Sequence, residues 1–495
     1  MDLQFQKTKF PSLQLMKREP RNLEETQELR IPDGMPDIGR VLGAWGQVLL
    51  RSKEWRNSSA HVSGGVQTWV LYVPEDGIGM QCIQTWIPFH AKWDLPDTDA
   101  DGIINVNCLL RSADARNTSS RKMMIRVNVG IQGEMWIPAE NSVYTPVDMP
   151  EDICLLHRNY SMLVPKETGE KAFVLEEELA VPSADMDTLL YYNLQPEVLE
   201  RKVMSDKVVF RGTAQLHAVY LGKDSQLHTW DTEIPFSQYS ELEREYGTGA
   251  MARIIPALTS LETELNQEGR VGLKAGITGQ YMICDKMDFD VIEDAYSPQR
   301  IVQPQIEQLQ IPMLEEMQQI MTAEQKLQTH GTVADITFLQ DHPYRLPGSD
   351  NVSLGIPGQF QLLYRGEDGM LQHATARWEE QWQVPTDEGA ILMATARAGD
   401  RPFTAFDGDG MLLSTDIQVD AMVLSGQGIP MVTGMEIDEI TQPDPARPSL
   451  ILRKAGKDSL WELAKKTGST VERIQEINHL DSEPNPEQML LIPVL

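Results

Sequence analysis

One pattern recurs three times in this chain, and it limits the fold more than any other feature. Each copy opens on an alternating strand that ends in a β-branched residue and proline: Leu29-Arg30-Ile31-Pro32, Leu179-Ala180-Val181-Pro182 and Leu309-Gln310-Ile311-Pro312. Further on, each has a glycine followed by alternating residues and a tyrosine: Gly65 to Tyr72, Gly212 to Tyr220 and Gly358 to Tyr364. A turn comes next, Glu75-Asp76-Gly77, Lys223-Asp224-Ser225 or Glu367-Asp368-Gly369, and leads into a second strand. That strand ends on Ile87-Pro88-Phe89, on Ile234-Pro235-Phe236 and, in the third copy, on Val384-Pro385. Tyr72, Tyr220 and Tyr364 stand 148 and 144 residues apart. That spacing is the size of a domain and too long for a solenoid unit.

Each copy closes with another long alternating segment, at Met123 to Trp136, Val271 to Met282 and Met411 to Leu424. The first two share a Gly-Ile-x-Gly stretch, Gly130 to Gly133 and Gly276 to Gly279. The third replaces it with Asp416-Ile417-Gln418-Val419 and has diverged most. Period-2 runs bounded by Gly, Asp and Pro turns predict antiparallel β-domains of sandwich type. The expected class is mainly β: three tandem antiparallel sandwich-like repeats at 24–138, 174–284 and 306–430, with a small α+β module behind them. Residues 1–23 are polar and mixed, with no clear period. Helical signal in the repeats is thin, its best candidates being Ser240 to Glu245 and Leu314 to Lys326. Linkers are expected near Ala139 to Lys171, near Asp285 to Gln305 and at 438–449. The last contains Pro443, Pro445 and Pro448 and reads as a semi-rigid spacer holding the end of the chain away from the β-domains.

The final segment, Leu450 to Leu495, has a different pattern: strand, helix, helix, strand. An apolar run opens it and Gly456 breaks the run. Ser459 with Glu462 has capping-box spacing, so each side chain can satisfy an orphan backbone N–H. Leu460, Leu463, Ala464 and Thr467 fall on one helical face, and Gly468 supplies a left-handed stop. Ser469 with Glu472 repeats the box, and Val471, Ile474 and Ile477 give the second helix an apolar stripe. Asn478 is a C-terminal stop, and Leu490 to Ile492 forms the return strand. Helices this short are marginal alone, so they must pack on the two strands.

At 495 residues the chain exceeds a single core, and about three to four domains are expected. The net charge of −30 excludes nucleic acid or an anionic membrane as main partner, because phosphate binding needs clustered Lys and Arg. Cys82, Cys108, Cys154 and Cys284 have no paired spacing and read as buried, reduced thiols of a cytosolic protein. No apolar stretch of signal-peptide length follows Met1, and no run approaches ~18 apolar residues. The expectation is a module used inside a cell, with no membrane span.

Chemistry-bearing motifs are sparse. Asp97-Thr98-Asp99-Ala100-Asp101-Gly102 opens like a calcium loop, but Cys108 stands where a bidentate carboxylate is required, so the stretch reads as a solvated acidic turn. Asp407-Gly408-Asp409-Gly410 reads as a tight turn between strands. Cys154 and His157 bring a thiol near an imidazole with no second pair in reach. No nucleophile elbow, zinc motif, phosphate loop or dinucleotide fingerprint occurs. The chain is therefore expected to be no enzyme, with no catalytic residues, no metal and no cofactor.

In the last segment, Asp458 and Ser459 sit at the mouth of the first helix, where free N–H groups and polar side chains suit a sugar amide or a partner loop. Capping alone also accounts for Ser459. Trp461 either meets a ligand or lies against the core. The Gly-x-Asp-Ser-Leu-Trp turn, Leu463-Ala464-Lys465-Lys466, Val471 through Asn478 and the closing Leu-x-Ile-Pro together resemble a LysM domain. That resemblance implies a βααβ fold and a groove for N-acetylglucosamine chains. Its ligand-binding residues would be Gly456, Asp458, Ser459, Leu460 and Trp461 on one wall, with Asn478 and Leu480 on the other. Lys457, inserted between the usual Gly and Asp, and Glu487, in place of a turn Gly, depart from the family pattern beside that groove.

The three repeats are similar to the spore-coat assembly (SPOCS) domain over most of residues 24–430, on their Leu-x-Ile-Pro opening, Gly-to-Tyr strand and Ile-Pro-Phe strand end. Tandem SPOCS domains ahead of a LysM domain characterise the SipL-type coat morphogenetic proteins. The resemblance implies a non-enzymatic scaffold in the mother-cell cytoplasm, linking coat proteins to the forespore surface. Its LysM domain would dock a SpoIVA-type coat ATPase. The alternative is a peptidoglycan-binding protein that holds N-acetylglucosamine oligomers; Lys457, Glu487 and the missing signal peptide favour the first.

Overall fold

The Gly-to-Tyr runs become the middle strands of three antiparallel meanders, each folded against a second sheet. A computed structural model describes residues 2–77, 79–97, 101–181, 186–265, 270–309, 313–347, 352–386, 389–399, 401–407, 410–425, 428–439 and 448–494. The first unit holds β1 (Asp2–Leu3), β2 (Phe5–Arg30), β3 (Ile38–Arg56), β4 (Ser59–Pro74), β5 (Gln81–Asp94), β6 (Ile103–Ser119) and β7 (Lys122–Pro146). The second holds β8 (Cys154–Ala180), β9 (Met186–Met204), β10 (Lys207–Gly222), β11 (Leu227–Glu241), β12 (Met251–Leu265) and β13 (Arg270–Tyr296). The third begins with β14 (Val302–Leu309), β15 (Met313–Leu327), β16 (Gly331–Gln340), β17 (Tyr344–Arg345) and β18 (Val352–Gly366). It continues with β19 (Leu371–Val384), β20 (Ile391–Ala398), β21 (Phe403–Asp407), β22 (Gly410–Ser425) and β23 (Ile429–Ile437). The final module is β24 (Leu450–Lys454), α1 (Leu460–Thr467), α2 (Val471–Asn478) and β25 (Met489–Pro493).

The meanders are β3-β4-β5, β9-β10-β11 and β16-β18-β19. In each unit the first and last long strands form the facing sheet: β2-β7-β6, β8-β13-β12 and β15-β22-β20. Side chains from both sheets interdigitate. In the first unit Val66, Val70 and Phe89 of the meander share a core with Ile125, Val127 and Ile131 of β7. The chain is mainly β, as the period-2 runs predict.

Cross-strand register explains the repeated glycines. Gly64 lies opposite Phe89, Gly212 opposite Phe236 and Gly358 opposite Trp378. A Cβ on Gly64 would sit 2.6 Å from the Phe89 ring, and one on Gly212 2.8 Å from Phe236. The bare backbone is the seat for an aromatic neighbour. In the third copy the register partner is Trp378, not the expected Val384-Pro385, which lies six residues further along where β19 ends, and the ring seated over Gly358 is Phe338. The hairpin turns also share a geometry. Gly77, Ser225 and Gly369 all take positive φ (72°, 62° and 75°), and each amide donates to the carbonyl three residues back. Of the strand openings, Ile31 is buried and its amide donates to Arg121 at 3.1 Å. Pro182 and residues 310–312 lie outside the described residues.

Several expectations are corrected. Residues 5–23 are not a separate segment, since β2 pairs with β7 along its whole length. The segments expected as linkers, Ala139 to Lys171 and Asp285 to Gln305, are mostly strand. There the outer ends of β2/β7, β8/β13 and β14/β23 run on as two-stranded ribbons, with β1 beside β23. The ribbons pack together into a stem around Phe10, Val164, Phe289, Val291, Leu309 and Met431. A ribbon buries only one face, so its alternation is too weak to be read against its many charges. A register shift past Leu15 in β2, and one facing Ile283 in β13, mark where sandwich passes into stem.

Neither helix expected in the repeats forms. Leu314 to Lys326 lies in β15, where the open edge of β22 captures it by pairing from Met313 to Leu327. Tertiary pairing overrides the local helical pattern. Ser240 and Glu241 end β11. Beyond them, the Glu243 amide and the Tyr246 hydroxyl both bond the Glu167 carboxylate, at 3.0 and 2.9 Å, which holds the chain off a helical path.

The units do not hang as separate beads. Trp45, Leu49 and Trp69 of the first unit enter the core of the second, as does Leu363 of the third. Gln280 bonds both backbone groups of Val106 on the edge of β6, accepting at 2.9 Å and donating at 2.7 Å. Gln47 accepts from Leu194 on the edge of β9 at 2.9 Å. Side-chain amides thus cap sheet edges that would otherwise stay unpaired.

Candidate functional site

The final module folds as its pattern predicts, with β24 antiparallel to β25 and the two helices on one face. Ser459 caps α1 in a complete capping box, Gly468 closes it at φ 68°, and Leu460, Leu463, Ala464 and Thr467 are buried. The second cap is shifted. Thr470, not Ser469, accepts from the Arg473 amide, because Ser469 is fully buried and donates its N–H to Ala464. Only Ile474 of the second stripe is fully buried; Ile477 is exposed.

The seven residues expected at the groove lie where the chain enters α1, at Gly456 to Trp461, and where it leaves α2, at Asn478 and Leu480, and most of their polar groups are bonded internally. Gly456, at φ 71°, donates to Pro486 at 2.9 Å. Asp458 accepts from Lys466 at 2.8 Å and Arg453 at 2.9 Å, and the Lys466 bond leads in holding its pKa below the usual carboxylate value. The Ser459 amide donates to Glu462 at 3.0 Å. The Leu460 amide donates across the loops to Glu483 at 2.9 Å, while its side chain is buried. The N-terminus of α1 is therefore occupied by the module's own carboxylates. Sequence reasoning passed over Glu483, since only the fold brings it to Leu460.

On the opposite wall, Asn478 works as a piece of strand. Its amide nitrogen donates to Leu491 and its oxygen accepts from the Leu491 amide, at 2.7 and 2.8 Å. Leu480 is half-buried against the module's core and donates its amide to Gln475. Of the two departures from the family pattern, Glu487 pairs with Lys454 across the two strands.

Trp461 is half-buried against the cluster that joins the module's core to Tyr296 of the second unit. Its indole N–H donates to Asp294 of β13 at 2.9 Å, and its ring meets Tyr296 edge-on with centroids 4.7 Å apart. Lys465 donates to both Asp294 oxygens at 2.8 and 2.7 Å, and the Tyr296 hydroxyl donates to Ser469 at 3.0 Å. Burial raises the pKa of the Tyr296 hydroxyl far above its ordinary value. The module is thus packed on the tip of the second ribbon, where a spacer was expected to hold it away; residues 440–447 lie outside the described residues. Asp294 and Tyr296 had no sequence signal, standing some 170 positions upstream.

The other candidate, Cys154 with His157, does not form a pair. Cys154 and His157 are three apart in a strand and so point to opposite faces. His157 pairs with Asp290 at 3.0 Å, and Cys154 packs under the module. All four cysteines are free, and burial pushes the thiols of Cys82, Cys108 and Cys284 up to about 12. Residues 98–100 of the calcium-like stretch and 408–409 of the second acidic turn lie outside the described residues. Among the described residues no group of three or more His, Cys, Asp or Glu could hold a metal ion. A cavity of about 1370 Å³ lies between the three units. Two ion pairs lie at its wall, Arg201 with Glu316 at 3.0 Å and Arg397 with Glu197. No described helix is long and apolar enough to cross a membrane.

Comparison with known proteins agrees with this architecture. Residues 185–265 match the family model of the SipL SPOCS domain, and residues 457–493 match that of the LysM domain. No curated protein and no solved structure gives a match. The chain thus carries the SPOCS and LysM pairing of a SipL-type protein. Both are non-catalytic binding modules, and together they support a sporulation-related, peptidoglycan-binding protein.

Proposed function

We propose that the chain is a non-enzymatic scaffold of the spore coat, working in the mother-cell cytoplasm at the forespore surface. Its LysM module docks a SpoIVA-type coat ATPase, and the acidic three-unit body recruits other coat proteins. The first and third units, which share the strand order of the matched second unit, are read as diverged SPOCS copies. One observation carries the docking reading: the outer face of the β24–β25 sheet is aliphatic and open. Leu450, Leu452, Met489 and Leu491 alternate on that face at 49%, 64%, 51% and 39% exposure, while Leu490 and Ile492 are buried beneath the helices. Contiguous exposed aliphatics suit a protein partner better than a sugar.

Pull-down of a purified SpoIVA-type ATPase by the full chain tests this. The wild type retains it, and the pair Leu452→Asp with Leu491→Asp releases it; a wild type that retains nothing ends the reading. The second reading, binding of N-acetylglucosamine oligomers, is favoured by the LysM match itself. Saturable calorimetric binding of such oligomers to the full chain, undisturbed by the same pair of substitutions, would favour it instead.

A further inference from the structure

We infer that the LysM module is latched to the stem by Asp294 and Tyr296, and that a ligand using Trp461 reaches it only when the latch opens. The inference rests on reading the module as a binding module, and it adds a closed state in which one of its candidate contacts is withheld.

The latch is built from both sides. A register shift between Ile292 and Asp294 interrupts the pairing of β13 with β8 just before the strand ends at Tyr296. Such a bulge re-aims the residues beyond it. Asp294 there receives the Trp461 indole N–H and the Lys465 ammonium together. Tyr296 is 5% exposed and shares a cluster with Leu460, Leu463, Ala464 and Ile474 of the module. Its hydroxyl donates to the Ser469 carbonyl, just beyond α1, at 3.0 Å. Outside Tyr296 the contacts are polar and sit at the rim, with Lys465 43% exposed and Asp294 21% exposed, and partly exposed charge pairs hold weakly enough for a competing ligand to displace them.

Cys154 provides the reporter. It pairs with Tyr296 across the ribbon and packs against the module, so release of the module uncovers it. Cys82, Cys108 and Cys284 belong to the body and serve as internal controls.

In the full chain, modification of each thiol by N-ethylmaleimide is followed by peptide mass spectrometry. Asp294→Ala and, from the other side, Lys465→Glu should each speed labelling of Cys154 several-fold and leave the other three unchanged. The swap of Asp294→Lys with Lys465→Asp should restore slow labelling. Unchanged Cys154 rates in both single variants overturn the latch. N-acetylglucosamine tetramer is then titrated by calorimetry into the wild type and Asp294→Ala. Tighter binding by the variant supports control of access, and equal affinity overturns that control. Binding by neither chain sinks the sugar reading, and the labelling rates still decide the latch.

Discussion

The hydroxyl of Tyr191 donates to a carboxylate oxygen of Asp335 at 2.6 Å, joining the second unit to the third. The ring of the same tyrosine stacks on Trp45 of the first unit, with centroids 4.4 Å apart and planes 12° apart. One side chain therefore touches all three units. Around Asp335 stand His217 at 3.1 Å and Arg401 at 3.3 Å, and His217 also reaches Asp231 at 2.7 Å. Desolvation alone would lower the imidazole pKa. Its bonds to Asp231 and Asp335 outweigh burial and hold it at about 9.

That shift has a direction in pH. A histidine raised from 6.5 to about 9 contributes stability that is complete below pH 6.5 and is lost as pH climbs through about 9. At 1.36 kcal/mol per unit, the contribution is about 3 kcal/mol. Thermal unfolding of the wild type and His217→Asn at pH 6 and at pH 9.5 checks it. The gap between them should be wide at pH 6 and narrow at pH 9.5; an equal gap at both would rule the imidazolium out.

The junction of the first two units rests on a buried charge. Glu134 is 2% exposed and accepts from Arg253 at 2.6 Å, with Arg18 alongside at 3.9 Å. Burial works against the carboxylate, yet Arg253 and Arg18 hold its pKa below the ordinary value. Removing one partner strands the other in a dry interface. Arg253→Ala should cost about 3–5 kcal/mol in chemical denaturation, and Glu134→Leu with Arg253→Leu should recover part of the loss. A single variant as stable as the wild type would show the pair to be idle.

Gly212 has no room for a side chain. An added Cβ would lie 1.8 Å from the Glu197 carbonyl oxygen, which is backbone and cannot swing away. Gly212→Ala should therefore break the β9–β10 pairing, at a cost at or above the ~1–3 kcal/mol of ordinary overpacking. Gly247→Ala, where nothing lies within 4 Å, is the control. Limited proteolysis should cut the first variant between 186 and 222 and leave the control resistant.

How much of this was legible depended on whether a residue's partner lay nearby in the chain. Gly65, Gly212 and Tyr72 announced strands because alternation and turn residues are local signals, and the Ser459 capping box reads off four residues. The ribbons were illegible for the opposite reason. Phe10 and Phe289 meet as tilted rings with centroids 5.0 Å apart in a stem that no single strand encodes. Leu314 to Lys326 has a helix-like spacing that the edge of β22 overrules. At the module, sequence put Asp458 and Ser459 at the mouth of α1, and the resemblance to a LysM domain put Asn478 on the wall opposite them. It could not say that Glu483 fills the mouth of α1 or that Asp294 claims Trp461, since both facts belong to folded geometry.

Asn478 offers a prediction confined to the module. Its side chain donates to the Ile474 and Leu491 carbonyls, both at 2.7 Å, and accepts from the Leu491 amide. It thereby ties α2 to the outer edge of β25. Asn478→Ala leaves those groups without partners and should destabilise the module by about 1–3 kcal/mol. Asn478→Asp keeps the acceptor for the Leu491 amide but turns a carboxylate oxygen toward the Leu491 carbonyl. It should therefore rescue little at neutral pH and more in acid, where a protonated carboxyl can donate again. Hydrogen exchange of 489–493 in the full chain reads both effects, with the three-unit body as the unchanged reference. Equal protection of that strand in the wild type and in Asn478→Ala would mean the strand holds without the asparagine, and the wall it forms would then owe its rigidity to Ile492 and Leu490 in the core alone.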